Sequence, residues 1–308
     1  MIRHKLAVAM GSLLLAASTS SFAADDFRVA YAGSMGVVMD KFIGPAFADR
    51  QHVNYQGQGE GAYGLARLLA SGKATADVFV SVTPGPIEIL QKAGLVDDAV
   101  PVASTRMVIA YNPKSPFAAA LAASNKDGAG TPWWQVLKQP GLKFGRTDAR
   151  VDPQGQNIIF SLMLAEKYYR QPGLSQAVLG DTQNPQQVYG EGGLLSRLQA
   201  GQLDAASGYE SATLSAKLPY VALPDEINLS NPAFAKSWYD TVSLDLTGSN
   251  GQPQHLTPQP LVFYAAVLKN AANGARGQAF VDFLRSSDGQ ALFSQNGYGQ
   301  PKGETLHR

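Results

Sequence analysis

Five residues stand where a side chain or a backbone amide can bind a small anion. Each lies at an expected strand-to-helix turn or at the end of an expected strand. These residues are Ser34, Ala62, Asp152, Glu191 and Tyr209. A helix start leaves backbone N–H groups unpaired and carries the positive end of the helix dipole, so it attracts negative charge. Because strand ends of an open sheet face one cleft, we expect the five to converge there on a single ligand.

Four of these positions also have an ordinary structural interpretation, which stays open at this point. Ser34 follows a strand and precedes an apolar helix, so it can simply cap that helix. Asp152 followed by Pro153 is a common helix start. Glu191 suits the positive end of a helix, and Tyr209 can pack half-buried at a strand end. Taken singly, these interpretations are the more common ones, and only the shared location favours binding.

Sequence signatures of other chemistries are sparse. Residues 59–64 match G-x-G-x-x-G between a strand and a helix, but Asp77 precedes the next strand instead of ending it, which argues against a dinucleotide site. Neither G-x-S-x-G nor H-E-x-x-H occurs. Asp152 and Glu191 could form a carboxylate pair for glycoside hydrolysis, although the chain has only three tryptophans. We therefore expect a protein that is not an enzyme and has no resident cofactor.

The first 23 residues read as a secretory signal peptide. A basic head with Arg3 and Lys5 precedes an apolar stretch at 6–17, and Ser-Phe-Ala at 21–23 is a small-x-small cleavage pattern. The full chain has a formal charge of +1, and cleavage after Ala23 removes two basic residues, which gives the mature chain a charge of +1 − 2 = −1. A nearly neutral mature chain argues against nucleic-acid binding. The chain has no cysteine, so we expect a disulfide-free protein of the periplasm.

Strands and helices alternate along the remaining chain, which predicts an α/β fold. We expect two lobes, each a mostly parallel sheet flanked by helices, joined by two crossing strands near 106–113 and 220–224. The predicted domains are the signal peptide at 1–23, a discontinuous first lobe, and a second lobe. The first lobe comprises 24–108 and 222–308, with 242–247 as one of its strands, and the second lobe comprises 109–221.

Six short motifs extend over nearly the whole mature chain. They are Ala32-Gly33-Ser34, Gly61-Ala62, Asp152-Pro153-x-Gly155, Glu191-x-x-Leu194-Leu195, Tyr209-Glu210-Ser211 and Leu223-Pro224-Asp225-Glu226-Ile227-Asn228-Leu229. Together they resemble the periplasmic molybdate/tungstate-binding proteins of ABC importers, particularly the tungstate-type branch. The last motif is the most specific of the six. The resemblance implies a two-lobed type II solute-binding fold that closes on a tetrahedral oxyanion and delivers it, as a monomer, to an inner-membrane ABC permease.

The resemblance also implies a role for each of the five residues. Ser34 would supply hydroxyl and backbone donors, Ala62 a backbone donor, and Tyr209 a contact from the second lobe. Asp152 and Glu191 would be direct ligands of the molybdenum or tungsten centre of the bound oxyanion. The family usually has a serine where this chain has Ala62, so one hydroxyl donor is missing.

Other ligands remain open from the residues alone: phosphate, sulfate or a small organic acid, or an enzyme substrate on the same scaffold. A carboxylate repels a dianion unless it ligates the metal or accepts a proton, so the two acids favour molybdate, tungstate or protonated phosphate over sulfate. An organic acid would need a clamp such as Arg146 and Arg150. A ferric site would need several tyrosines together, but the adjacent Tyr168 and Tyr169 are expected to point apart.

Overall fold

The computed structural model describes residues 25–124 and 130–308, without the side chains of residues 191 and 192. The predicted signal peptide at 1–23 therefore lies outside the described residues. Within them, even the longest helix lacks the combination of length and apolar character that is needed to cross a bilayer.

The strands and helices of the described residues follow one another in the alternating order expected from the sequence. The strands are β1 (Asp26–Ala32), β2 (Asn54–Glu60), β3 (Val78–Ser81), β4 (Asp98–Ser104), β5 (Met107–Tyr111), β6 (Phe144–Thr147), β7 (Val188–Tyr189), β8 (Ala205–Tyr209), β9 (Tyr220–Ala222), β10 (Leu244–Thr247), β11 (Pro253–Leu256), β12 (Val262–Val267) and β13 (Leu306–His307). The α-helices are α1 (Gly36–Val38), α2 (Gly44–Gln51), α3 (Ala62–Ala70), α4 (Pro84–Lys92), α5 (Ala118–Ala123), α6 (Trp133–Val136), α7 (Pro153–Tyr168), α8 (Leu174–Leu179), α9 (Glu191–Gln199), α10 (Glu210–Ser215), α11 (Asp225–Asn228), α12 (Gly274–Arg285) and α13 (Ser287–Gln295). Short 3-10 turns lie at Gly33–Met35, Pro232–Phe234 and Tyr239–Thr241, and a π-helical turn lies at Met39–Ile43.

A six-stranded sheet forms the core of the first lobe, in the order β13-β4-β12-β3-β1-β2. β1 runs parallel to β2 and β3, whereas β12 runs antiparallel to β3 and β4. β3 and β12 are apolar and buried along almost their whole length, as expected for central strands covered on both faces. Phe27 of β1, Phe47 of α2 and Phe280 of α12 form an aromatic cluster with ring centroids 4.9–5.4 Å apart. This cluster packs the start of β1 against α2 and α12.

A five-stranded sheet forms the second lobe, in the order β7-β6-β8-β5-β9. β6 is parallel to β7 and β8, and β5 is antiparallel to β8 and β9. The chain crosses from β4 to β5 and leaves the second sheet after β9. The predicted α/β fold with two sheets flanked by helices is confirmed. Among the described strands, β1, β2, β3 and β4 of the first sheet share one direction, and so do β6, β7, β8 and β9 of the second, which agrees with the predicted mostly parallel sheets. β12 and β13 in the first sheet and β5 in the second run in the opposite direction. The residue boundaries of the lobes remain a prediction.

The segment 242–247 does contain a strand, but that strand lies outside the six-stranded sheet. β10 pairs with β11 in an antiparallel ribbon that packs beside α7. The turn between them folds the chain straight back, with Gly251 at a φ of +77° and Gly248 N–H donating to the carbonyl of Gln252 at 2.8 Å. The predicted strand is thus present as part of a separate ribbon, and its assignment to the first lobe remains a prediction.

Candidate functional site

A cavity of about 660 Å³ lies between the two lobes. The first lobe lines it with the end of β1, the turn after it and the glycines of β2, and the second lobe lines it with α9, α10 and the buried side chain of Gln154. Charged side chains at this cavity are Asp40, Lys41 and Lys217. The cleft predicted from the strand ends is thus present, with polar groups from both lobes.

Ser34 lies in the 3-10 turn that follows β1, and it lines the cavity. The N-cap of this turn is Ala32, so the interpretation of Ser34 as the helix cap is wrong. The Ser34 carbonyl accepts a hydrogen bond from the hydroxyl of Tyr298 at 3.3 Å. The Tyr298 ring packs against Phe263 and Phe293, with centroids 5.3 Å away in each case. The backbone at Ser34 is therefore held by the core of the first lobe.

Ala62 is the first residue of α3 and has no exposed surface. Gly61, its N-cap, has no side chain with which to cap the helix. The first helical bond, from Leu65 N–H to the Gly61 carbonyl at 3.0 Å, leaves the amides before Leu65 at the open end of the helix. A Cβ on Gly61 would lie 3.1 Å from the Val151 carbonyl oxygen and 3.6 Å from Asp152 Cβ. The start of α3 therefore meets the Asp152 turn of the other lobe.

Asp152 is the N-cap of α7, as the Asp-Pro sequence suggested. Its Oδ1 accepts the Gln154 N–H at 2.9 Å, whereas its Oδ2 is buried and has no hydrogen-bond partner among the described residues. Burial raises the pKa of Asp152 to about 6; the Gln154 amide and the nearby Thr147 hydroxyl oppose that rise, and the charge of Asp148 adds to it. Asp152 is thus both a helix cap and an acid with one oxygen still able to bind a metal centre or a proton.

Tyr209 is the last residue of β8 and is completely buried, more than the half-buried packing considered from the sequence. The side-chain amide of Asn157 donates to its hydroxyl oxygen at 3.0 Å. Gln154 Nε2 donates to the Ser207 carbonyl at 3.2 Å, two residues earlier on the same strand. The first turns of α7 therefore fix the end of β8 relative to Asp152.

Glu191 is the first residue of α9, as predicted, and α9 lines the cavity through residues 194–196 and 199. Its side chain lies outside the described part of the structure, so its position relative to Asp152 stays a prediction. The structure places Gly61, which precedes Ala62, close to Asp152, and it joins Tyr209 to the helix that Asp152 caps. Ser34 lines the cavity together with Gln154, whereas Ala62, Asp152 and Tyr209 lie outside its lining. Gln154 is a cavity residue that the sequence reasoning missed; its place in the first turn after the Asp152 cap was the available signal.

The model of the family described as "bacterial extracellular solute-binding protein" matches residues 27–299. The chain belongs to this family. An uncharacterised solute-binding protein of Petrotoga mobilis is 32% identical over 224 residues, 72% of this chain and 67% of that protein. The molybdate/tungstate-binding protein WtpA of Pyrococcus abyssi is 28% identical over 264 residues, 79% of this chain and 74% of that protein. In fold, the chain is similar to the periplasmic molybdate-binding protein of Azotobacter vinelandii, with a TM-score of 0.62 and 14% identity over 90% of this chain and all of that one.

Within this solute-binding protein, the arginines considered as an organic-acid clamp are engaged elsewhere. Arg146 is completely buried and donates to the carbonyls of Asp181 and Thr182 at 2.8 and 3.0 Å. Arg150 pairs with Asp148 at 2.6 Å. Neither arginine lines the cavity between the lobes. Both therefore organise the loops around the second sheet.

The adjacent tyrosines considered for a ferric site do not point apart as expected, because their rings meet edge to face at 4.9 Å. Tyr168 is 41% exposed, and the hydroxyl of Tyr169 accepts from Trp133 Nε1 at 3.2 Å. Neither residue lines the inter-lobe cavity of this solute-binding protein. This pair therefore belongs to the packing of α7 against α6.

Proposed function

We propose that the protein binds molybdate or tungstate in the cleft between its lobes and delivers it to an inner-membrane ABC permease. The observation that carries the proposal is the free Oδ2 of Asp152, buried where the open end of α3 meets the second lobe. Membership of the solute-binding family and the similarity to WtpA support it. The enzyme alternative finds no support in the family or in the solved structures of similar fold.

Two kinds of group would bind the anion: hydrogen-bond donors and a carboxylate. The amides at the start of α3, with Ser34 and Tyr209, would donate hydrogen bonds to the oxo groups. The positive end of the α3 dipole also attracts negative charge, so the site would need no positively charged side chain. Asp152, with Glu191 if its side chain reaches the same point, would ligate the molybdenum or tungsten centre. Sulfur in sulfate has no such open coordination, so Asp152 would only repel sulfate.

The proposal includes the location and the state of the protein. The signal peptide would be cleaved after Ala23 and the mature protein would act in the periplasm as a monomer. Its cargo would be released intact, because binding and release require no chemical step. The anion would enter the open cleft, and closure would replace its hydration shell by the fixed donors of both lobes.

Calorimetry on the ligand-free protein with molybdate, tungstate, sulfate and phosphate tests the proposal. We expect binding of molybdate and tungstate, and a loss of at least tenfold in affinity in Asp152→Asn, since interactions with charged groups contribute about 1.5–3 kcal/mol. Asp77→Asn is the matched control. Asp77 is also buried, but its two oxygens accept the N–H groups of Arg28 and Ala272, each at 2.9 Å. Tight sulfate binding with no heat from molybdate or tungstate would contradict the proposal.

A further inference from the structure

Asn157 lies one turn into α7 and directly contacts the hydroxyl of Tyr209. The two side chains are 3% and 0% exposed, so water does not compete for this hydrogen bond. A phenol has one hydrogen to donate and an oxygen that can accept. Because the Asn157 amide occupies the accepting side of that oxygen at 3.0 Å, the phenol hydrogen must point away from Asn157.

We propose that Asn157 holds Tyr209 as a hydrogen-bond donor toward the bound oxyanion and thereby contributes to ligand selectivity. The inference rests on the proposed function. A tyrosine that can only donate suits an oxygen without a hydrogen, as in molybdate and tungstate. The protonated oxygen of hydrogen phosphate needs an acceptor instead, so Asn157 would disfavour that anion at this position.

The position of Asn157 is fixed by the packing of its helix. Gln156 Nε2 donates to the Ala149 carbonyl at 2.8 Å, and the Asp152 cap closes the first turn. Gly155 fits against β6 so tightly that a Cβ would lie 2.5 Å from the Thr147 carbonyl oxygen. The backbone of α7 at Asn157 is therefore held at a fixed distance from the end of β8, within reach of the Tyr209 hydroxyl.

A double-mutant cycle tests whether Asn157 acts through the Tyr209 hydroxyl. Molybdate affinity is measured for wild type, Asn157→Leu, Tyr209→Phe and the double variant. A cavity of about 170 Å³ beside Asn157 leaves room for the leucine shape. We expect Asn157→Leu to weaken binding about three- to tenfold in the wild-type background and less than about twofold in the Tyr209→Phe background. An equal loss in both backgrounds would mean a purely structural role and would overturn the inference.

Selectivity gives a second, independent measurement. In Asn157→Asp at pH 8 the new carboxylate would accept the phenol hydrogen, which turns the Tyr209 oxygen into an acceptor facing the ligand. The ratio of molybdate affinity to hydrogen phosphate affinity should fall at least about tenfold, whereas a general charge effect on dianions cancels in this ratio. An unchanged ratio would overturn the inference while leaving the proposed function intact. If the wild type binds neither anion, the proposed function fails and the inference falls with it.

Discussion

Ala62 occupies the first position of α3 without exposed surface, and its methyl group offers no donor to a ligand. Its neighbour Gly61 lies so near the other lobe that an added Cβ would come within 3.1 Å of the Val151 carbonyl oxygen and 3.6 Å of Asp152 Cβ. We therefore expect a hydroxyl at position 62 to stand close to the proposed anion. The serine that the family usually has at this position would therefore stand at the proposed site.

Ala62→Ser should raise the affinity for molybdate or tungstate about tenfold, because it adds one charge-assisted hydrogen bond. Calorimetric titration measures the change. Ala66→Ser is the matched control, since Ala66 is equally buried one turn further along α3. An increase of similar size in both variants would attribute the effect to helix stability instead of the anion.

The raised pKa of Asp152 should make the stability of the ligand-free protein depend on pH. Its pKa of about 6 in the folded protein lies above the value near 4 in the unfolded chain, so the folded protein binds the Asp152 proton more tightly than the unfolded chain does. The stabilisation is complete below about pH 4 and is lost as pH rises through about 6, at most about 3 kcal/mol. Thermal unfolding at pH 5 and pH 7.5 measures it. Asp152→Asn should lose this part of the pH dependence; an unchanged profile would show that Asp152 does not titrate there.

At the scale of elements, the alternation of strands and helices was sufficient to predict the α/β class and most of the elements near the cleft. β4 has only a weak strand signal in the sequence, because Pro101 interrupts its pattern; in the sheet Pro101 lies opposite Tyr264, next to a shift in register. The glycine-rich stretch before α3 was interpreted as a turn, yet β2 continues through it to Glu60.

The reason for that extension is a contact that local sequence does not contain. The Tyr31 ring of β1 lies against β2, and a Cβ on Gly57 or Gly59 would come within 2.8 or 2.6 Å of its atoms. These glycines therefore serve a cross-strand aromatic contact and not a chain reversal. In the same way, the positions of Ser34, Ala62 and Asp152 on their elements could be predicted, but the contact of Gly61 with Val151 depends on how two distant lobes meet.

At the scale of the molecule, the close approach of Gly61 to Val151 suggests a substitution that should hinder closure of the two lobes. A Cβ on Gly61 would press on the Val151 carbonyl oxygen at 3.1 Å, and the group that must give way is the backbone of the other lobe. Gly61→Ala should therefore lower ligand affinity about tenfold while shifting the melting temperature of the ligand-free protein little. Small-angle scattering with and without ligand should show less compaction than in wild type.

Gly64→Ala is the matched control for that experiment, because a Cβ there meets nothing within 4 Å. Its affinity and compaction should equal those of the wild type. Full compaction of Gly61→Ala with ligand would show that the two lobes do not close on this contact.

The pairing of β5 with β9 has a mechanical consequence. These strands carry the chain into and out of the second lobe, and they are neighbours in one antiparallel ladder. Nearby, Thr105 N–H donates to the Leu261 carbonyl at 3.1 Å, and Leu261 N–H donates to the Leu229 carbonyl at 2.9 Å, so both connections are also tied at the first lobe. Two connections that are paired side by side should resist twisting and sliding of one lobe against the other, but allow rotation of the lobes about a single hinge axis. Closure would then restrict only this one rotation, so the entropic cost of closing would be small. More of the free energy of the contacts would remain to hold the proposed ligand.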